Sequence, residues 1–234
     1  MSSLARPARV TAHRNSHEVT APTNLRSPVL KTGIFVLATH NTTKIDEYRF
    51  ITDLILPEWT PVSYDGPEPL EDGLSFRANA LIKARAAAEY SGIPSLADDS
   101  GLCVDVLGGA PGIFSAYWAG HQKNLTANRD LLIDQLSDIA DPHRKARFSS
   151  ALALVTPDGS EHVAEEHWWG RVALEPAGDD GSPYDSIFIP DGQSPNHEHT
   201  VAEWETARRY RNSHRIRAFR SLAPTLESWM STVA

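Results

Sequence analysis

The sequence predicts an α/β fold in which helices flank a mixed β-sheet. Short apolar runs of strand length alternate with segments whose apolar residues recur at helical spacing, a pattern typical of βα units. Two further apolar segments are joined by Pro157-Asp158-Gly159-Ser160, which is typical of an antiparallel hairpin. The chain has 234 residues, 41% of them hydrophobic, which suffices for one domain with a sizeable core.

The predicted domain begins with a βα unit. Residues 34–38 form an apolar run suited to a buried strand. The helix that follows has an apolar face made of Ile45, Tyr48, Ile51 and either Leu54 or Ile55. A second, alanine-rich helix is predicted over residues 74–90, because Gly92 and Pro94 end it.

The remaining elements follow in the second half of the chain. Residues 95–107 predict two short strands interrupted by Asp98-Asp99-Ser100-Gly101. The later predictions are an amphipathic helix over 125–136, hairpin strands over 147–156 and 161–172, and a last helix over 213–229. Pro224 is expected to kink or split this last helix.

Residues 1–32 are predicted to be a disordered extension of a domain that spans residues 33–234. They are rich in Ser, Arg, Pro and Thr, and they bury too little apolar surface to offset the entropy of ordering. Their Arg-rich, acid-poor composition also fits an organellar transit peptide, although the prolines would interrupt its amphipathic helix.

The composition disfavours several classes of protein. A formal net charge of −8 argues against nucleic acid as the main partner, because binding to the phosphate backbone needs an extended basic surface. No run of about 18 apolar residues occurs, so no interaction with a membrane by a spanning segment is expected. Cys103 is the single cysteine, which excludes an internal disulfide and favours a reducing, cytoplasmic location.

Two polar segments in the first half of the domain could bind an anion. The loop from Thr39 to Lys44 opens a helix, where free backbone N–H groups and the helix dipole favour a phosphate, although such Thr and Asn side chains are more often simple helix caps. Glu71 precedes a helix on which Asn79 and Lys83 are four residues apart, so their side chains share one face and can converge on one anion. The alternative for this second segment is a solvated helix start.

Asp98 and Asp99 are adjacent carboxylates that we predict at a strand end. Their repulsion lowers stability unless a cation or hydrogen-bond donors compensate it. Mg²⁺ is the natural cation, because it prefers hard oxygen ligands and is usually shared between one or two carboxylates and substrate phosphates. The alternative interpretation is an ordinary Asp-Ser-Gly turn.

A basic segment lies at the start of the last predicted helix. Ser213, His214 and Arg215 follow a stretch that contains Arg208 and Arg209. Donors clustered at a helix N-terminus suit an anion or the carbonyl edge of a base. A basic run of this kind is, however, usually a solvated face.

These segments, in this order, resemble the inosine triphosphate pyrophosphatase family, which acts on non-standard purine nucleotides. The resemblance extends from Phe35 to Phe219, and its most specific part runs from Ala97 to Gly112. The other matching residues are Ala38, Thr39, Asn41, Lys44, Glu71, Gly73, Phe76, Asn79, Ala80, Lys83, Ser115, Ala116, Gly120, Tyr184, Asp185, Ile187, Phe188, Ala202, Glu203, Ser213, His214 and Arg215.

The resemblance implies a twisted sheet in two lobes around a central active-site cleft, a homodimer, and hydrolysis of ITP, dITP or XTP to the monophosphate and pyrophosphate. Asp99 would be the catalytic carboxylate and a Mg²⁺ ligand, with Glu71 and Asp98 helping to hold the ion or its water. The implied phosphate contacts are Asn41, Lys44, Lys83 and Arg209. The implied sugar or base contacts are Ser100, Tyr184, Asp185, His214 and Arg215, and the further substrate contacts are Thr39, His40, Thr42, Thr43, Ser182 and Pro183.

The sequence departs from the family pattern mainly where the base is expected. Ser182 and Pro183 replace a Phe-Gly pair whose ring would stack on the base, and Tyr117 replaces an arginine. Ser186 replaces a proline, and Arg209 replaces a lysine, which keeps the charge but changes the donor geometry. Two alternatives stay open: a pyrophosphatase with shifted base specificity, and a nucleotide-binding module of the same fold without turnover.

Overall fold

A computed structural model describes residues 33–233, where one six-stranded sheet is flanked by helices. The extension predicted over residues 1–32 lies outside the described residues. The strands are β1 (Gly33–Leu37), β2 (Trp59–Ser63), β3 (Ser95–Val104), β4 (Lys145–Val155), β5 (Glu161–Val172) and β6 (Phe188–Pro190). The α-helices are α1 (Thr42–Ile55), α2 (Phe76–Ser91), α3 (Leu125–Gln135), α4 (Thr206–Asn212) and α5 (His214–Val233).

The sheet is mixed, as the sequence predicts. Its strand order is β2-β1-β3-β4-β5-β6, with β1 parallel to β2 and β3 and the remaining pairs antiparallel. The predicted hairpin is confirmed as β4 and β5. Three short elements, β2, β6 and α4, were not predicted from the sequence. β2 also contains Pro61, a residue that sheets tolerate at an edge.

The prediction of two strands broken at Asp98-Asp99-Ser100-Gly101 is wrong. β3 is one continuous strand, in which these four residues pair with β4 from Leu152 to Ser149. Pairing along a long neighbouring strand satisfies backbone groups on one edge, so a polar tetrapeptide stays extended. The alternative interpretation of an Asp-Ser-Gly turn is wrong for the same reason.

The two faces of the sheet are covered by different helices. Phe35, Leu37 and Leu96 pack with α1 and α5, whereas Val36 and Ala97 pack with the alanine-rich face of α2. Side chains alternate between faces along a strand, so in this part of β3 even-numbered residues face α1 and α5 and odd-numbered residues face α2. A third cluster, which includes side chains of α3 and β6, covers the far ends of β3 to β5. The hydrophobic core along these strands therefore consists of separate clusters.

The helix ends follow from local sequence. Asn41 caps α1, Ser75 caps α2, and Gly92 ends α2 in the left-handed conformation. On α1, Tyr48 and Ile51 are buried as predicted. Of the two alternatives for its last apolar contact, Ile55 packs against the core and Leu54 is exposed.

The last helix is not split at Pro224, which lies inside α5. Within the part of the chain that the structure describes, no helix is long and apolar enough to cross a membrane.

Candidate active site

The candidate site lies beside a gap in the hydrogen-bonded neighbours of β3. On the side of β1, β3 pairs only through Ser95 and Leu96, because β1 ends at Leu37. The next pairing on that edge is an isolated bridge between Cys103 and Pro111. Residues 98–101 lie between these two points. Within residues 33–233 they have a strand neighbour on one side only.

The two adjacent aspartates face opposite sides of the sheet. Asp98 contacts Lys44 of α1 and Arg215 of α5, whereas Asp99 contacts Asn79 and Lys83 of α2. The compensation expected for their mutual repulsion is present, and each carboxylate has cationic partners of its own. Alternation along a continuous strand separates them.

Asp98 is the centre of the network on the α1 and α5 side. Its carboxylate, whose side chain is 1% exposed, accepts from Lys44 Nζ at 2.7 Å and from Arg215 Nε at 3.0 Å. It also accepts from Ser150 Oγ at 2.5 Å and from Ser100 Oγ at 2.9 Å. Burial opposes its charge, but the two cations outweigh burial and hold the pKa of Asp98 well below its usual range.

Glu47 is a site residue that the sequence analysis missed. It is buried on α1 and accepts from Arg215 Nη1 at 3.0 Å and from Ser213 Oγ at 2.6 Å. Arg215 Nη2 also donates to Ser100 Oγ at 2.9 Å, so the whole guanidinium is fixed. The available signal was a carboxylate four residues before Ile51, on the face of α1 predicted to be buried.

Asp99 is the centre of the network on the α2 side. It accepts from Lys83 Nζ at 2.9 Å and from Asn79 Nδ2 at 3.3 Å, and Lys83 Nζ also donates to Glu71 at 3.0 Å. The predicted convergence of Asn79 and Lys83 on one anion is confirmed, and that anion is a carboxylate of the protein. Burial raises the pKa of Asp99, and Lys83 offsets this effect only in part.

The oxygen atoms on the α2 side of the sheet fit a hard divalent cation. One ammonium contacts both Glu71 and Asp99, so the two carboxylates lie close enough to share a cation. Among residues 33–233 no three His, Cys, Asp or Glu side chains form a metal-binding group. Two carboxylates suffice for Mg²⁺, which keeps several waters and takes further oxygens from substrate phosphates. Asn79 Oδ1 is buried without a hydrogen-bond partner among these residues and is one more oxygen nearby.

A third group of predicted residues surrounds Arg209. This buried side chain forms an ion pair with Asp180 at 2.9 Å. Nearby, Asp185 accepts from the backbone N–H of Ser182 at 2.8 Å, and burial raises the pKa of Asp185 to about 6. Tyr184 is buried and donates to the carbonyl of Ser115 at 3.0 Å, which ties this loop to the 3-10 turn Gly112–Tyr117.

His214 is buried beside the Asp98 network. Its ring stacks on Phe148 with a centroid separation of 5.0 Å, and neither ring nitrogen has a hydrogen-bond partner among the described residues. Burial, helped by Arg215, holds the pKa of His214 well below its usual value. The neutral ring therefore offers one donor and one acceptor.

The loop from Thr39 to Lys44 offers its backbone N–H groups and the side chain of Lys44 to the candidate site. Asn41 Oδ1 accepts from the N–H of Lys44 at 3.2 Å, so the helix-cap interpretation of Asn41 is confirmed. Thr39 Oγ1 accepts from the N–H of Asn41 at 3.1 Å. Thr42 and Thr43 are exposed in the first turn of α1, where backbone N–H groups lack intrahelical partners.

Two further predicted contacts, His40 and Pro183, have partners other than the members of the carboxylate networks. His40 stacks on Tyr64 and lies 3.1 Å from Glu68. The carbonyl of Pro183 accepts from Ser186 Oγ at 2.7 Å.

Comparison with known proteins places these features in context. The model of the Ham1 family matches residues 35–225. The chain is 52% identical over 193 residues to a dITP/XTP pyrophosphatase of Leifsonia xyli subsp. xyli, covering 82% of this chain and 95% of that protein.

Two solved structures are similar as well. The Staphylococcus aureus Ham1 protein has a TM-score of 0.72 and 31% identity, covering 83% of this chain and 98% of that one. A nucleoside-triphosphatase / dITP/XTP pyrophosphatase from Mycobacterium abscessus has a TM-score of 0.65 and 42% identity, covering 82% and 99%.

Proposed function

Because the chain belongs to the Ham1 family, we propose that it hydrolyses non-standard purine nucleoside triphosphates such as dITP, XTP and ITP to the nucleoside monophosphate and pyrophosphate. The observation that carries the reaction is the half-buried carboxylate of Asp99, which shares the ammonium of Lys83 with Glu71. Related dITP/XTP pyrophosphatases support the substrate class.

The cations around the gap suit a triphosphate. Lys44 and Lys83 approach β3 from opposite faces of the sheet. Arg209 lies beside Asp185, and Asp185 is on the loop that precedes β6. Phosphoryl transfer needs positioning and neutralisation of charge more than covalent chemistry. We assign these three cations to the phosphates, together with the N–H groups of the first turn of α1.

Asp99 and Glu71 would hold Mg²⁺. When bound, the ion neutralises charge on the phosphate oxygens and polarises the phosphorus centre under attack. Asp98 receives four donors on the other face of the sheet, so we assign it to positioning Lys44 and Arg215.

Asp99 also suits a general base. We propose that its carboxylate accepts a proton from the water whose oxygen bonds to the α-phosphorus, while the bond from that phosphorus to the bridging oxygen breaks and pyrophosphate leaves. Burial raises the pKa of Asp99, which makes the carboxylate a stronger base than an exposed one.

Arg215 and His214 suit the base. A 6-keto purine presents a hydrogen-bond acceptor where adenine presents a donor. The N–H groups of Arg215 and of the neutral His214 ring would therefore donate to a 6-keto purine but not to the amino group of adenine. A mismatched contact leaves a buried group unpaired, which costs about 1–3 kcal/mol.

Release of pyrophosphate from a nucleotide panel tests the proposal. We expect Mg²⁺-dependent release from ITP, dITP and XTP, much slower release from ATP, and no release by Asp99→Asn. Asp105→Asn is the matched control, because Asp105 follows the same strand and pairs with Arg147 away from the gap. Preference for another base would support the shifted-specificity alternative. Thermal stabilisation by nucleotides without any release would instead indicate a binding module.

We also propose that the protein acts as a homodimer in the cytoplasm. Among the tryptophans, Trp168 and Trp204 are buried in the core and Trp118 packs against it, whereas Trp169 is 40% exposed and is available to an interface. Light scattering after size exclusion tests the dimer, and a monomeric mass would contradict it.

A further inference from the structure

Lys83 stands between the two carboxylates that the proposed function assigns to the metal. Its ammonium lies 2.9 Å from Asp99 Oδ1 and 3.0 Å from Glu71 Oε2. The other oxygen of Asp99, Oδ2, accepts from Asn79 at 3.3 Å. Both oxygens of Asp99 therefore accept hydrogen bonds. The donor to Oδ1 is the charged ammonium of Lys83, which also contacts Glu71.

The contact is firm enough to compete with a cation. The side chains of Lys83 and Asp99 are each 14% exposed, so solvent screens their attraction only weakly. The ammonium of Lys83 is a positive charge that lies between the two carboxylates assigned to the metal.

We propose that Lys83 reserves the metal site, so that Mg²⁺ binds tightly only together with the phosphates of a nucleotide. This inference rests on the proposed function. In the free protein the lysine satisfies Glu71 and Asp99 and opposes a second cation beside it. A polyphosphate offers Lys83 an alternative anion, and once the ammonium turns to it, the two carboxylates are free for the ion.

Linkage makes the effect reciprocal. If nucleotide strengthens Mg²⁺ binding, Mg²⁺ strengthens nucleotide binding by the same factor. The functional consequence is that free Mg²⁺ does not load the enzyme and that the ion and the nucleotide bind cooperatively.

Titration calorimetry with MgCl₂ alone tests the proposal. Wild type is expected to bind Mg²⁺ weakly, and Lys83→Met and Lys83→Gln are expected to bind it at least about tenfold more tightly, because a full charge next to the ion has been removed. Lys83→Arg keeps the charge and should bind as weakly as wild type. Circular dichroism on each variant verifies folding, and Lys83→Gln, which keeps a polar donor, serves if Lys83→Met does not fold.

Arg85→Met is the matched control. Arg85 lies on the same helix and also pairs with a glutamate, Glu161, but it is away from Asp99. It removes the same unit of charge, so a general electrostatic effect would tighten Mg²⁺ binding in both variants. The proposal is overturned if neither neutral Lys83 variant binds Mg²⁺ more tightly than wild type, or if Arg85→Met gains as much.

A second titration uses wild type saturated with α,β-methylene-ITP. Mg²⁺ binding is expected to tighten at least about tenfold relative to the free protein, and equal affinity would overturn the proposal. Failure of the proposed function is separate, because it would show as no release of pyrophosphate from any nucleotide. The titrations with MgCl₂ alone would still decide the role of Lys83.

Discussion

Asp98 and Asp99 are neighbours in sequence, yet the same substitution should mainly affect stability at Asp98 and activity at Asp99. Asp98→Asn is expected to destabilise the fold strongly, whereas Asp99→Asn is expected to abolish release of pyrophosphate with little loss of stability. The reason is that β3 directs Asp98 into a buried ion-pair network and Asp99 towards the proposed catalytic centre.

The magnitude follows from the partners of each carboxylate. Asp98 is 1% exposed and neutralises Lys44 and Arg215, whose side chains are each 18% exposed. An asparagine would leave Lys44 without its carboxylate and Arg215 with Glu47 alone, and breaking a buried ion pair costs about 3–5 kcal/mol. Asp99→Asn leaves Lys83 paired with Glu71 and relieves a carboxylate that burial disfavours, so we expect a change within about 1 kcal/mol.

Urea denaturation at pH 7.5, followed by circular dichroism, measures both free energies of unfolding, and release of pyrophosphate from ITP measures activity. The reasoning is refuted if Asp98→Asn unfolds within 1 kcal/mol of wild type, as an effect below about 1 kcal/mol is typical of exposed ion pairs. It is equally refuted if Asp99→Asn loses as much stability as Asp98→Asn.

The pH dependence gives an independent measurement on the same variant. The pKa of Asp98 is lower in the folded protein than in the unfolded chain, so its contribution to stability is present above about pH 4, the unfolded pKa, and is lost as pH falls below that value. Asp98→Asn should therefore lose less stability than wild type on acidification from pH 5 to pH 3. Parallel curves for the two proteins would contradict the low pKa.

Three further substitutions probe neighbouring parts of the site. Burial raises the pKa of Asp185 to about 6, so its ionisation should lower wild-type stability between about pH 4 and 6 by up to about 3 kcal/mol, and Asp185→Asn should flatten that slope in urea denaturation at pH 4 to 7. Gly101→Ala should lower the free energy of unfolding by about 1–3 kcal/mol and reduce activity, because an added Cβ would overlap Ser115 Oγ and the carbonyl of Gly112; unchanged stability would show that this turn yields easily. Ser182→Phe should lower KM for ITP if the base site accepts a stacking ring, since such contacts contribute about 1 kcal/mol, and an unchanged or higher KM would place the base elsewhere.

The sequence by itself determined the elements with strong periodicity and the segments that form the candidate site. A local apolar pattern suffices to predict three of these elements: the strand from Ile34 to Ala38, the alanine-rich helix and the hairpin. The spacing of Asn79 and Lys83 likewise determined that both side chains reach one anion, since helical geometry alone places residues four apart on one face. The membership of Glu71 and Asp99 in one group came from the family resemblance, and the contacts with Lys83 agree with it.

Only the tertiary structure decided how Asp98 and Asp99 divide their roles. From sequence the Asp98–Gly101 stretch resembled a break, because polar residues and glycine favour turns, and only pairing with the long strand β4 keeps it extended. Once it is extended, alternation sends the two carboxylates to opposite faces, where α1 and α5 supply partners to one and α2 to the other. Glu47, 168 positions from Arg215 in sequence, could be assigned to that guanidinium only after these helices had packed on the sheet. Local pattern reports which residues share an element, but the partner of a buried charge depends on which elements meet.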